Sequence, residues 1–380
     1  MKKPKKIITR MLLSIVILIA SLVILYLAFV NFHPSFGGEV TKERQALYNS
    51  SQQYNDGKFM NTKREIPKAA SFSKMLSIGR KFFFEKVENG RPDKDLEVQK
   101  VDSSNVANYN DSPRLIWFGH SAFLLQLDGK NILIDPMFGD VPAPHPFLGA
   151  KRFNKKMPIS IEKLPKIDAM VISHDHYDHL DYGSIKKLRT KVGAYFVPLG
   201  VGVHLEVWGV HASNITEMDW WEETTFKNIQ LACTPAQHFS GRKFNNGQST
   251  LWSSWVIKSD STSIYFGADS GYAPHFKEIG EEYGPFDFAM LECGQYNKMW
   301  PDIHMFPEET AQAGLDVKAK ALMPIHWGAF KLALHSWTDP IERVSKKAKE
   351  LQLPLVTPKI GEPIVIDKLP KPNSAWWQTQ

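Results

Sequence analysis

The sequence predicts an α/β fold, namely a layered domain with mixed sheets that follows one helix long enough to span a membrane. Short apolar runs recur between residues 113 and 366, and each ends in Gly, Pro, Asp or His. Helical patterns separate some of these runs, over residues 182–192, 307–317 and 339–352. Strands interleaved with a few helices are typical of a layered α/β domain. The clearest runs are RLIWF, AFLLQL, NILID, AMVIS, AYFVP, IQLACT, SSWVI, SIYFGA, FAMLE, ALMPI and PIVID.

The N-terminal helix is predicted from an uncharged apolar stretch. Residues 11–30 read MLLSIVILIASLVILYLAFV, and as a helix they would be about 30 Å long, the thickness of a bilayer core. We therefore predict a cytoplasmic basic segment at residues 1–10 and an anchor at residues 11–32. The positive-inside rule then places the remaining chain on the extracytoplasmic side, periplasmic or external. A cleaved signal peptide is the competing interpretation, although the following LAFVNFHPSFGG is a poor cleavage site.

Three further segments complete the predicted organisation. Residues 33–112 are polar and irregular, and we expect an extension packed on the core. Within them, Phe72 to Lys86 mixes apolar and basic residues, which favours a helix packed on the domain, or alternatively a surface that touches lipid. The main α/β domain follows at residues 113–366, and an irregular tail at residues 367–380. Cys233 and Cys293 stand in apolar contexts that favour buried thiols, and a disulfide between them stays open.

Composition and charge exclude several classes of protein. The chain has 380 residues, of which 43% are hydrophobic, 23% are charged and only 2 are Cys. These values exclude a disordered chain, a collagen and a disulfide-stapled mini-protein. The net charge of +6 comes largely from the N-terminus, so the remainder carries +1 and no nucleic-acid partner is expected. The N-terminal basic residues are Lys2, Lys3, Lys5, Lys6 and Arg10.

The densest chemical signal lies directly after the predicted strand AMVIS. The stretch SHDHYDHLD, from Ser173 to Asp181, contains the pattern His-x-His-x-Asp-His. Imidazole and carboxylate both suit zinc, and a loop that leaves a strand can direct side chains to two sides. One short loop could therefore supply two metal ions. The pattern residues are His174, His176, Asp178 and His179.

Further ligands are expected at other strand ends, because one loop holds too few for two metal ions. His238 follows IQLACTPAQ, Asp269 follows SIYFGA, and His326 follows ALMPI. Each polar residue comes just beyond an apolar strand, so all three can converge at one rim of a sandwich. We therefore predict a metal site at that rim.

The motif resembles the metallo-β-lactamase superfamily, and the longer stretches resemble its N-acyl-phosphatidylethanolamine-hydrolysing phospholipase D branch with its bacterial relatives. The resemblance spans roughly residues 54–362. The segments that carry it are YNDGKFMN, WFGHSAFLLQLDGKNILIDPMFG, LGAKRF, SHDHYDHLDYGSI, FVPLGV, DWWEE, TPAQHFSGR, FGADSGY, FKEIGEEYGPFD and IHWGAF. The stretch FAMLECGQYNKMWPDIHM departs from the pattern of this branch, and the N-terminal anchor is not a general feature of it.

The resemblance implies an αβ/βα sandwich with two zinc ions at one edge. It implies that His174, His176 and His238 hold one ion, that Asp178, His179 and His326 hold the other, and that Asp269 bridges them. His304 falls where the family has a phosphate-contacting His, so it is predicted to bind substrate or donate a proton. Asp178 and His304 are the predicted catalytic residues.

Four further predictions concern residues around this site. Tyr177 lies inside the metal loop and is predicted to touch substrate, with core packing as the alternative. His120, Asp135 and Asp181 are predicted to orient ligands from a second layer.

The expected reaction follows from charge. Two zinc ions, two Asp ligands and a bridging hydroxide leave a net charge of about +1, which suits an anionic phosphodiester. The resemblance further implies that a zinc-bound hydroxide attacks the phosphorus of an N-acylphosphatidylethanolamine-like membrane phospholipid, a reaction of the phospholipase D type. The alternatives are a lactone or other ester hydrolase on the same site, and a non-catalytic metal-bound envelope regulator. A homodimer stays open.

The predicted orientation of the anchor has a direct test. A reporter fused after Gln380 should be active only outside the cytoplasm, because the basic cluster precedes the apolar stretch. Measuring the reporter in intact cells, with membrane association checked by fractionation, gives the answer. Cytoplasmic activity of a membrane-bound fusion would show that the orientation is reversed.

Overall fold

The computed structural model describes residues 3–62, 72–369 and 375–379. Residues 1–2 of the predicted cytoplasmic segment, 63–71 of the extension, and 370–374 and 380 of the tail lie outside the described residues. One described helix, over Lys6–Phe32, is long and apolar enough to cross a membrane, a property that a signal sequence shares. The elements before the main domain are α1 (Lys3–Phe32), α2 (Lys42–Tyr48), β1 (Tyr54–Asn55), β2 (Lys58–Phe59), α3 (Phe72–Phe84) and α4 (Ser103–Ala107).

The first sheet of the main domain has seven strands in the order β15-β3-β4-β5-β6-β7-β8. Strands β15, β3, β4 and β5 pair antiparallel, whereas β5 to β8 pair parallel. The elements of this half are β3 (Arg114–Trp117), β4 (Phe123–Leu127), β5 (Lys130–Ile134), β6 (Ile167–Val171), α5 (Tyr182–Leu188), β7 (Val192–Pro198), α6 (Gly202–Val207) and β8 (Ile215–Met218), together with β15 (Pro363–Val365) from near the C-terminus.

The second sheet has six strands in the order β14-β13-β12-β11-β10-β9. Strands β9 to β12 pair antiparallel, and β12 to β14 pair parallel. Its elements are β9 (Glu223–Phe226), β10 (Ile229–Thr234), β11 (Ser254–Lys258), β12 (Ser263–Phe266), α7 (His275–Glu282), β13 (Phe288–Glu292), α8 (Pro307–Asp316), β14 (Leu322–Ile325) and α9 (Asp339–Glu350).

Alternation along the first sheet explains the layers. In β4, Phe123 and Leu125 face the second sheet, while Leu124 joins a separate cluster with Ile185 of α5 and Leu205 of α6. A strand whose two faces are both covered reads as a continuous apolar run, as this sequence does. Helices α7 to α9 cover the other sheet, so the layers run helix, sheet, sheet, helix. The predicted αβ/βα sandwich is confirmed.

Some local predictions need correction. The helix predicted over residues 182–192 ends at Leu188, because the chain turns at Lys191. Val192 is already the first residue of β7 and pairs with Ile167 of β6. The tail is not irregular throughout, since Trp376 and Trp377 lie buried in a short 3₁₀ turn against Trp327. Cys233 and Cys293 are free and buried, as predicted.

The segment after α1 is held on the main domain by a buried guanidinium. Arg242 donates through Nε and Nη2 to the Ser35 carbonyl, at 2.9 and 2.7 Å. Its Nη1 donates to the carbonyls of Leu180, at 2.8 Å, and Asp175. The ring of Tyr177 lies 4.0 Å from the guanidinium carbon, a cation–π contact. Arg242 therefore joins the residues next to α1 to the loop that carries the His-x-His-x-Asp-His motif.

We expect Arg242→Met to lower the free energy of unfolding by about 3 kcal/mol, because buried carbonyls lose charged donors. Thermal unfolding of the purified full-length chain should show the loss as a lower Tm. Lys277→Met is the matched control, since the Lys277 side chain is exposed and its pair with Glu281 is exposed as well. Equal Tm values for the two variants would contradict the role given to Arg242.

Candidate metal centre

The motif loop is a tight turn between a buried strand and a capped helix. Strand β6 ends at Val171, and the backbone N–H groups of His179 and Leu180 both donate to the His176 carbonyl. The Asp181 carboxylate then accepts from the Ser184 N–H at 2.7 Å and caps α5. Because both ends of the loop are fixed, its His and Asp side chains are presented together at the rim of the sandwich.

The first ligand group consists of three imidazoles and one carboxylate. His174 Nε2 lies 2.9 Å from His176 Nδ1, which lies 3.2 Å from His238 Nε2. The Asp269 Oδ2 atom lies 3.9 Å from His174 Nε2 and 3.8 Å from His238 Nε2. All four ligand atoms fall within 4.8 Å of one another, close enough to surround one ion.

Contacts behind His238 determine which of its ring nitrogens faces the group. His238 Nδ1 lies 2.9 Å from the Ile303 carbonyl, which can only accept a hydrogen bond. Nδ1 therefore carries the proton and Nε2 presents a lone pair to the other ligands. The Asn61 amide bonds both the N–H and the carbonyl of His238 and so fixes its backbone.

The second ligand group contains Asp178, His179, His326 and also His120. His120 Nε2 lies 2.8 Å from Asp178 Oδ2, and burial lowers the pKa of His120 to about 3. The neutral ring thus donates to the carboxylate and orients it, which is the placement expected of a second-layer residue. His326 Nδ1 lies 3.0 Å from Asp269 Oδ1, so Asp269 contacts both groups.

His179 provides the test of whether a cation fits. Its Nδ1 lies 2.7 Å from Asp135 Oδ2, while Asp135 also accepts from the N–H and hydroxyl of Ser173. Its Nε2 is buried without a hydrogen-bond partner among the described residues, 3.2 Å from Asp269 Oδ2 and 3.5 Å from Asp178 Oδ2. A lone pair facing two carboxylates requires positive charge, and these imidazole and carboxylate donors are ones that zinc prefers.

The pKa values of the protein groups alone also indicate that this site requires positive charge. Burial opposes a charge on His179, yet the carboxylates of Asp269 and Asp178 raise its pKa well above the usual value. Despite its burial, His179 and His326 hold the pKa of Asp269 well below its usual value. The cluster therefore stabilises one proton on His179, in the place where a metal cation would contact the same carboxylates.

Unusual backbone conformations place these residues at the rim. His120, Asp135, Ala268 and His326 all have positive φ, between 39° and 63°, although none is Gly. Each follows the end of a strand: β3, β5, β12 or β14. Such conformations cost about 1–3 kcal/mol each and cluster at functional sites. They turn the chain sharply where it leaves the sheets, so the polar side chains point to one another.

His304 lies beside both groups, and its partner is a residue that sequence reasoning missed. His304 Nδ1 lies 2.7 Å from Glu292 Oε2, and its ring stacks on His326 at a centroid distance of 5.3 Å. Burial and the nearby charge of Asp269 raise the pKa of Glu292 well above its usual value. Glu292 ends the apolar strand β13, so the strand-end rule that selected Asp269 could have selected it too.

Two other predicted residues make different contacts. The Tyr177 hydroxyl donates to the Arg242 carbonyl at 2.6 Å, and its ring packs against Phe36. Asp181 contacts Ser184 through its helix cap. Their predicted roles toward substrate and ligands stay predictions, whereas Asp135 and His120 contact His179 and Asp178 directly.

The chain is similar in sequence to known proteins. A family model described as the Beta-lactamase superfamily domain matches residues 130–327. The uncharacterized protein Mb0930 of Mycobacterium bovis is 38% identical over 340 residues, covering 88% of this chain and 89% of that protein. The N-acyl-phosphatidylethanolamine-hydrolyzing phospholipase D 1 of Caenorhabditis elegans is 35% identical over 229 residues, covering 57% of this chain and 64% of that protein.

A solved structure agrees with the fold. Igni18, a metallo hydrolase from the archaeon Ignicoccus hospitalis, superposes with a TM-score of 0.51 at 23% identity. The match covers 67% of this chain and 98% of that chain. At this level of identity the likeness shows the fold alone.

The two ligand groups predict a distinctive pattern of metal loss. Asp269→Asn should lower metal content at both positions, because Asp269 contacts both groups. Asp135→Asn should weaken binding by about 10–100-fold only at the position that includes His179, since it removes the partner of Nδ1. Elemental analysis of the purified protein, expected to show two ions per chain before mutation, measures both effects.

Asp260→Asn is the matched control for these carboxylate changes, because Asp260 is exposed in the turn between β11 and β12, at the opposite end of β12 from Asp269. It should leave the metal content unchanged. One ion or none in the unmutated protein would refute the two-ion site, and equal losses in all three variants would refute the separate roles of the carboxylates.

Proposed function

The chain belongs to the beta-lactamase superfamily and is a metal-dependent hydrolase, and on that premise we propose that it is a membrane-anchored binuclear zinc phosphodiesterase of the phospholipase D type. The observation that carries the proposal is the pair of ligand groups joined by Asp269. Seven side chains supply imidazole nitrogen and carboxylate oxygen: His174, His176, Asp178, His179, His238, Asp269 and His326.

Charge supports an anionic substrate. Two zinc ions would supply Lewis-acid charge that activates water and neutralises negative charge developing on a phosphoryl group. The ligand set carries only two carboxylates, Asp178 and Asp269, against that charge. The surrounding imidazoles of His174 and His238 are neutral, because burial lowers their pKa values well below the usual range. The loaded site would therefore be positive, which favours a phosphodiester over a neutral ester.

His304 supports a role in proton transfer or phosphate binding. Glu292 holds its Nδ1, which leaves Nε2 as the nitrogen available to a substrate. In the proposed reaction water adds to phosphorus, the bond from phosphorus to the head-group oxygen breaks, and that oxygen receives a proton. A His whose orientation is fixed by the Glu292 carboxyl group is placed to deliver this proton.

The proposed substrate is an N-acylated phosphatidylethanolamine or a related membrane phospholipid. The Caenorhabditis elegans relative is named for this hydrolysis, and this chain matches 64% of its length. The apolar helix Lys6–Phe32 supports the proposal, because it would hold the site beside the bilayer. The catalytic domain would then lie on the extracytoplasmic side, as the basic N-terminus suggests.

A panel of substrates tests the reaction. The full-length protein in detergent or vesicles should release a phosphatidic-acid-type product from N-acylated phosphatidylethanolamine. His304→Ala should lower this activity by about 10²-fold or more, with metal content unchanged. His211→Ala is the matched control, because His211 is an exposed imidazole remote from the ligands in sequence.

Faster turnover of lactones than of every phosphodiester would replace the proposed reaction with ester hydrolysis on the same site. Full activity of the His304→Ala variant would remove His304 from the mechanism even if the substrate is correct.

A further inference from the structure

Three of the most exposed apolar side chains of the main domain lie on two loops. Phe147 is 90% exposed and Leu148 is 61% exposed, in the loop between β5 and β6. Phe244 is 85% exposed, in the loop between β10 and β11. We refer to Phe147, Leu148 and Phe244 together as the apolar tips. Moving side chains of this size from water into an apolar environment is favourable, so the next question is which apolar environment lies beside them.

The first loop touches the end of α1. The ring of His145 lies 6.2 Å from the ring of Phe29 and 5.9 Å from that of His33, and Phe147 lies 4.9 Å from His145. Phe29 is the next-to-last residue of the uncharged stretch 11–30, which as a helix is about 30 Å long, the thickness of a bilayer core. If α1 spans the bilayer, Phe29 lies at its boundary, and the loop lies at the same depth.

The second loop contacts the segment that directly follows α1. Lys243 Nζ lies 2.8 Å from Glu39 Oε1, and Arg242 bonds the Ser35 carbonyl. Phe244 follows directly. The connection from α1 to the domain is thus held by several contacts, so the tips have a defined position relative to α1.

The same loop leads to the metal centre. Phe239 is 37% exposed, and its ring lies 4.5 Å from that of His176 and 4.8 Å from that of His238. An exposed aromatic side chain therefore contacts the first ligand group directly, a few residues before Phe244.

We propose that the apolar tips insert into the interfacial layer of the lipid bilayer beside α1 and hold the Phe239 side of the metal centre against the membrane surface. Lipid is the occupant because Phe147 is linked to Phe29 of α1 through the ring of His145, and the α1 side chains are exposed over residues 6–27. His145 then lies at headgroup level, where polar side chains contact water and phosphate. This inference rests on the anchor in the proposed function but not on the reaction.

Depth-dependent quenching tests the inference on the full-length chain reconstituted in phosphatidylcholine vesicles. Phe147→Cys and, separately, Phe244→Cys are labelled with an environment-sensitive fluorophore, while the buried native Cys233 and Cys293 stay unlabelled. Glu350→Cys, at the end of α9, is the matched control on an exposed helix of the outer layer. Lipids carrying a nitroxide on the upper acyl chain should quench the labels at 147 and 244 and leave the label at 350 unchanged.

Two results would overturn the inference. The first is equal, weak quenching at 147, 244 and 350 in vesicles where α1 is inserted. The second is chain-to-chain cross-linking of the Phe147→Cys variant by a bismaleimide without lipid quenching, which would assign the tips to a second copy of the chain. Because quenching does not depend on turnover, a protein that hydrolyses no phosphodiester can still support the inference, and an active protein without quenching refutes it alone.

Discussion

The need to neutralise carboxylates in a buried cluster governs the architecture around the metal centre. Asp135, Asp178 and Asp269 meet at one rim, and each is held against an imidazole. Leaving such a carboxylate without a partner costs about several kcal/mol. Removing an imidazole, or the carbonyl that orients it, would therefore also destabilise the carboxylates that bind the cation. The strained turns at His120, Asp135, Ala268 and His326 persist because the two packed sheets hold their ends in place.

The two sheets are also joined at this rim. The His326 N–H, at the end of the second sheet, donates to the His120 carbonyl beside the first sheet, and Ser253 N–H donates to the Ser173 carbonyl. The Trp255 indole N–H donates to the Ile172 carbonyl at 3.0 Å. Bonds between the layers therefore lie next to the ligands, so a shift of one sheet against the other would separate the ligand groups.

Much of this structure could be predicted from the sequence, because the strands and most of the ligands are marked by short patterns of neighbouring residues. Buried strands read as apolar runs, and the ligands are either in one motif or directly after a strand. Asn61 was not predicted because its role depends on a contact with His238, 177 residues away in sequence. Glu292 stands at a strand end, where the rule that selected Asp269 also applies. The positive φ angles of His120 and His326 could not be predicted, because tertiary packing imposes them and no Gly marks these positions in the sequence. The identities of substrate and metal depend on chemistry that local patterns do not encode.

The bond between Arg242 and Ser35 has a consequence for processing of the chain. A protease cutting before Ser35 would leave a new α-ammonium group close to the Arg242 guanidinium, and a cut after Ser35 would remove the carbonyl that accepts two of its hydrogen bonds. Either product would bury positive charge with poorer compensation. Removal of α1 by a cut on either side of Ser35 would thus weaken the support of the loop that carries the ligands. An uncleaved chain keeps the Ser35 carbonyl in contact with Arg242.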